Sequence, residues 1–222
     1  MPVQAVLFSE MIPAPEWEDS FNEWYDTEHI PVRMGAKKFL GAQRYRATEG
    51  PEYLAVYDLE SVEALSTPAY RRIKENPSEV TACMLRSVTG FTRYTGRLIS
   101  WQTQDHRDDA EILSSPYLFS VLFAVPVERE EEFNNWYEQE HVPLLLKAEE
   151  WLGCRRYRIS DGVPSNYTHL AIHHLSSLLA LESPARSAAR ATPWRQRLAQ
   201  EPWFKGHYKV WQSIGSRFQA SA

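Results

Sequence analysis

Apolar residues along this 222-residue chain fall into strand-like runs and helical stretches, and the whole succession occurs twice. Each round opens with an apolar run, at 3–8 and again at 117–125, which predicts a strand. The period then changes. Phe21, Trp24 and Tyr25 recur at helical spacing, as do Phe133, Trp136 and Tyr137, so helices are expected over about 16–29 and 128–141. Pro31 and Pro143 are expected to stop them, because proline biases its predecessor out of the α region. Short strands are expected at 41–47 and 153–159, then at 54–59 (LAVYDL) and 170–175 (LAIHHL). Thr67-Pro68, Asn76-Pro77, Ser183-Pro184 and Thr192-Pro193 read as N-caps followed by N1 prolines, which predicts two or three short helices per round. A last strand is expected near 91–100 and 206–214.

The two rounds are copies. Residues 133–157 repeat residues 21–45 at an offset of 112 (133 − 21), preserving Trp24/Trp136, Glu28/Glu140, His29/His141, Pro31/Pro143 and Tyr45/Tyr157. A repeat of this length means two copies of one structural unit. By the third strand the offset is 116 (170 − 54), so four extra residues fall in the turn around Asp161 to Asn166. The order β-α-β-β-α-β is the ferredoxin-like split βαβ arrangement. We expect an N-terminal module at 1–101, a polar linker at 102–115 with a solvated charge run Asp105-His106-Arg107-Asp108-Asp109, and a C-terminal module at 116–222. Such a sheet carries helices on one face and leaves the other open. Two copies on one chain could press those faces together, giving an α+β fold in which two ferredoxin-like modules form an intramolecular pseudo-dimeric barrel. The molecule would be a monomeric pseudo-dimer or a homodimer.

The repeated helix carries the candidate chemistry. At about 100° per residue, Glu28 falls near the middle of the apolar face and His29 at its edge, and Glu140 and His141 repeat the placement. A carboxylate aimed at a core needs a partner. Arg44 and Arg46, or Arg156 and Arg158, lie on one strand face and could supply it. Glu28 and Glu140 are either such structural pins or catalytic carboxylates. His29 and His141 are either helix-end caps or proton carriers near neutral pH. Tyr25 and Tyr137, one turn back, could line the same pocket with Trp24 and Trp136. The copies diverge where Tyr57-Asp58 becomes His173-His174, which suggests richer acid–base chemistry in the second half. His169 and His173 sit about 13 Å apart on a strand, too far to share an ion, so no metal site is expected.

Composition removes other classes. The net charge of −5, with no Lys/Arg run, argues against nucleic acid. No apolar stretch is long enough for a membrane span. The first residues read as a strand and not as a signal segment, and the two cysteines form no metal motif, so a cytoplasmic protein is expected. Phosphate loops, the GxSxG elbow and HExxH are absent. Eight Trp and 11 Tyr suit both core packing and flat ligands.

The motif WY-x-x-EH-[IV]-P, followed by a [FW]-L-G-x-x-RY strand, resembles the EthD-type proteins of the dimeric α+β barrel superfamily, here as a tandem fusion. The resemblance spans both halves, and the family histidine maps onto His29 and His141. It implies a ligand between sheet and helices or at the barrel seam, in a group of isomerases, cofactor-free monooxygenases, cyclases and dehydratases, and haem-binding enzymes, of which we expect a cofactor-independent enzyme. Such an enzyme would perform isomerisation, dehydration, cyclisation or cofactor-free oxygenation on a small aromatic or cyclic apolar metabolite. In that reading His29, His141, Glu28 and Glu140 are catalytic, and Tyr25, Tyr137, Trp24, Trp136, Arg44, Arg156 and His173 bind substrate. The alternatives are a non-catalytic binding protein for the same ligand and a haem-binding protein.

Overall fold

The computed structural model describes residues 2–105 and 107–220; His106, in the charged run, lies outside the described residues. In the first round, β1 (Ala5–Ile12) leads into α1 (Glu18–Trp24), a π-helical turn (Tyr25–His29) and α2 (Ile30–Met34). Strands β2 (Phe39–Ala47) and β3 (Tyr53–Leu59), helices α3 (Pro68–Glu75) and α4 (Glu79–Ser87) and strand β4 (Thr89–Thr103) complete it. After α5 (Asp109–Leu113) the second round repeats the order: β5 (Tyr117–Phe123), α6 (Glu130–Trp136), a π-helical turn (Tyr137–His141) and α7 (Val142–Leu145). It continues with β6 (Trp151–Val163), β7 (His169–Leu175), α8 (Pro184–Ala191), α9 (Pro193–Leu198) and β8 (His207–Gln219). The stretch 102–115 finishes β4 and carries α5, whose Ile112 is fully buried.

The chain packs as two units. The first comprises Met1–Arg97, Ser160–Pro164 and Ile214–Ala222; the second comprises Leu98–Ile159 and Ser165–Ser213. In the first unit the antiparallel ladder runs β4-β1-β3-β2, with Leu7 opposite Tyr57. In the second it runs β8-β5-β7-β6, with Phe119 opposite His173. Both central strands, β3 and β7, are buried at every position. Each unit has its own core: Phe21, Trp24 and Tyr25 against β1–β3 in the first, Phe133, Trp136 and Tyr137 against β5–β7 in the second.

Proline does not stop the repeated helix, contrary to expectation. Instead the chain widens by one turn. The Ile30 N–H bonds the Tyr25 carbonyl, and the Val142 N–H bonds the Tyr137 carbonyl, five residues back in each case. A proline ring inside a regular helix would clash with the carbonyl four residues earlier. The wide turn relieves that clash and delivers Pro31 and Pro143 to the first turn of α2 and α7, where a missing N–H costs nothing. The second cap also moves. Ser78, not Asn76, caps α4, while Thr67, Ser183 and Thr192 cap as expected. No helix among the described residues is long and apolar enough to cross a membrane.

Candidate functional site

The wide turn reassigns the repeated Glu-His pair. A π turn advances less than 100° per residue, so residues after Tyr25 lag behind the regular wheel. His29 rotates onto the core face, 4% exposed, and Glu28 rotates off it. Glu28 does not meet Arg44. Its Oε1 accepts from Ser78 Oγ at 2.5 Å and Thr81 Oγ1 at 2.6 Å, and those bonds lower its pKa. Glu140 likewise accepts from Thr192 Oγ1 at 2.6 Å. Both acids therefore tie the helix to the capped start of α4 or α9. Arg44 pairs instead with Asp26 at 2.9 Å, and Arg156 with Glu138 at 2.7 Å, while each guanidinium covers the tyrosine beside it, Tyr25 at 4.7 Å and Tyr137 at 4.3 Å.

In the first unit His29 is wedged between Trp24 and Tyr25, with ring centroids 4.2 Å and 4.6 Å away. Burial, with Arg33 and Arg44 adding to it, pushes its pKa well down, so the ring is neutral. Trp24 Nε1 donates to Thr81 Oγ1 at 3.0 Å. Tyr57 and Tyr70 fill the neighbouring space. Tyr70 is 5% exposed and stacks on Phe39 at 5.4 Å and 26°.

The second unit keeps a cavity of about 440 Å³ beside the same helix. Its size suits a small organic ligand. Trp136, Tyr137, His141 and His173 line it, so four of the sequence candidates meet there. Phe119, Trp151, Phe204 and Tyr208 supply further aromatic wall, and Arg186, Arg190 and Arg195 line it too. Matching capped positions explain the difference between the units. Thr67 receives the N–H of Tyr70, and Ser183 receives that of Arg186. Ser78 receives the N–H of Thr81, and Thr192 receives that of Arg195. Thus Arg186 and Arg195 occupy the places of Tyr70 and Thr81. Trp136 Nε1, lacking a threonine hydroxyl, is buried without a hydrogen-bond partner.

His141 stacks on Trp136 at 4.4 Å and 25°. Burial first, then Arg195, lowers its pKa to about 3, while a bond to the Ala189 backbone works the other way. Its Nδ1 is buried without a hydrogen-bond partner among the described residues. His173 is held at both ends. Trp151 Nε1 donates to its Nδ1 at 3.1 Å, which leaves the proton on Nε2, 3.9 Å from Cys154 Sγ. Its pKa is also far below normal, chiefly through burial. Tyr137 and the Cys154 thiol are pushed up by burial. His174 faces elsewhere, between Ser115 and Arg155. An axial haem ligand needs a free imidazole nitrogen facing open space. In the described conformation His173 has none, and the Nδ1 of His141 is covered.

No family model and no curated protein matches the chain. Solved structures do. An anthrone oxidase-like protein aligns at a TM-score of 0.69 and 13% identity, covering 100% of this chain and 95% of its own. A proposed monooxygenase of Fusobacterium nucleatum aligns at 0.62 and 10% identity, covering 100% and 98%. A variant chlorite dismutase of Candidatus Nitrospira defluvii aligns at 0.59 and 11% identity, covering 95% and 90%. At these identities the likeness is one of fold, that of the dimeric α+β barrel proteins.

Proposed function

We propose that the second unit holds the active site of an enzyme acting on a small aromatic or cyclic compound without a bound cofactor. The aromatic-walled cavity of about 440 Å³ beside His141 carries this reading, since the first unit fills the same place with tyrosines. The EthD-type motif and the tandem pseudo-dimer it implies support it from the sequence. The anthrone oxidase-like neighbour suggests which of the possible reactions to test first. In that reaction His141 Nδ1 takes a proton from the CH₂ between two aryl rings. The electron-rich carbanion then reduces O₂, and anthrone plus O₂ becomes anthraquinone plus water. The imidazole ring must turn out of its stack on Trp136 to reach the substrate, an apo geometry that would tighten on binding. Tyr137 would position the substrate oxygen.

The experiment is oxygen uptake with anthrone and 1-naphthol as probes, no cofactor added. Uptake by the wild type that falls at least about 100-fold in His141→Ala, with thermal melting retained, is the expected result. A second reading, ligand binding without turnover, draws on the engaged or covered nitrogens of His141 and His173. It predicts quenching of tryptophan fluorescence by the same probes with no oxygen uptake.

A further inference from the structure

The geometry points to an aromatic carboxylate as the ligand of the second unit's cavity, with its ring system among the aromatic walls and its carboxylate on Arg186, Arg190 and Arg195. This rests on the proposed role of that cavity and narrows it. Three arginines line the space, and no Asp or Glu does. None of the three has an ion-pair partner among the described residues. Arrays of unpaired guanidinium groups facing one cavity repel one another, and a planar oxyanion relieves the repulsion through forked hydrogen bonds. Burial, and then the neighbouring Arg190, lowers the pKa of Arg186.

The arginines are also held in place. Arg186 Nη1 donates to the Leu181 carbonyl at 2.7 Å and the guanidinium lies over Phe119 at 5.9 Å. Arg195 lies over Phe204 at 5.2 Å. Aromatic backing of this kind leaves the polar edge of a guanidinium to point at a ligand. Arg186 and Arg190 are a turn apart on α8, and Arg195 follows on α9. Nothing else in the cavity competes for the anion, since His141 and His173 are neutral at pH 7. In the first unit Tyr70 and Thr81 hold the places of Arg186 and Arg195, and Arg190 alone is matched by a basic residue, Lys74.

The probes are 2-naphthoate and its neutral isostere 2-naphthamide, titrated by tryptophan fluorescence and calorimetry at pH 7. The expected result is naphthoate binding at least about 10-fold tighter than the amide. The preference for naphthoate over the amide should fall at least several-fold in Arg190→Met and again in Arg195→Met. Arg197→Gln lines a separate groove and should keep the full preference. Arg190 is exposed and its side chain makes no hydrogen bond or ion pair among the described residues, so its variant tests the idea even if Arg195→Met melts early. Equal affinities for acid and amide, or a preference untouched by either arginine variant, overturn the carboxylate assignment and leave the aromatic cavity standing. Binding of neither probe overturns the cavity reading as well.

Discussion

At matched positions the first unit carries Tyr57, Tyr70 and Thr81, and the second carries His173, Arg186 and Arg195. The surrounding skeleton is the same: a π turn, a proline after it, a buried tyrosine under an arginine, a glutamate on a helix cap. Three side chains thus divide a packed core from a cavity. In the first unit Tyr70 lies flat on Phe39 and Trp24 is satisfied by Thr81. In the second, the long arginines leave the floor uncovered and Trp136 Nε1 unpaired. Duplication supplied two frames, and substitution at two helix starts decided which frame has room for a ligand.

Exchanging those side chains is the strongest test of the contrast. His173→Tyr with Arg186→Tyr should give the second unit the filling of the first. Ligand quenching of tryptophan fluorescence should weaken at least about 100-fold while the far-UV spectrum and melting cooperativity persist, because side chains of this size fill a ligand-sized void. Unchanged binding would mean that the cavity is not where the probes sit.

The two histidines offer a second test. His141→Ala should lower oxygen uptake at least about 100-fold. His29→Ala should leave uptake alone and instead lower stability by about 2–4 kcal/mol in urea titrations, since it empties a space between Trp24 and Tyr25. Equal losses of uptake in both would break the asymmetry.

Acid should weigh more on the second unit. His141 and His169 both have pKa values lowered to about 3 from 6.5, mainly by burial. Above 6.5 neither state is protonated and nothing is lost. As pH falls below 6.5, the unfolded chain takes up protons that the folded chain refuses, so stability drops down to about pH 3. Each such histidine contributes up to about 1.4 kcal/mol per pH unit in that window. His169→Gln should flatten the fall between pH 6.5 and 5 by about 2 kcal/mol, measured by urea denaturation at the two values. An unchanged slope would mean that His169 titrates normally in the fold.

The smallest effect concerns the hydroxyl that one copy has and the other lacks. Thr81→Val leaves Trp24 Nε1 and one bond of Glu28 unmet, and should cost about 1–2 kcal/mol in denaturant titrations. Thr192→Val loses a cap and the Glu140 bond, about 1 kcal/mol, with no tryptophan involved. A larger cost for Thr192→Val would reverse the assignment of Thr81 as the tryptophan's anchor.

Much of the frame was legible along the chain. The apolar strand runs, the repeat at 112 residues and the threonine and serine caps follow from local chemistry, and the structure has them. The wheel placement of Glu28 and His29 differs from the fold for a local reason that a regular wheel cannot carry: the π turn ahead of Pro31 brings His29, and not Glu28, onto the core face. Arg186, Arg190 and Arg195 escaped notice although the turn-spaced pair Arg186 and Arg190, set against Tyr70 and Lys74, was a readable signal. Its meaning required knowing that α8 and α9 lean over the same helix end as His141.

The sequence by itself determined the duplication, the order of elements and the residues that could carry chemistry, because these depend on neighbours a few positions apart. Tertiary structure decided which copy stays open, that His141 Nδ1 has no partner while Trp151 holds His173 Nδ1, and which arginines lack a counter-charge. Those are properties of space between elements. They depend on how far side chains from four separate segments reach towards one point, and no spacing along the chain encodes that distance.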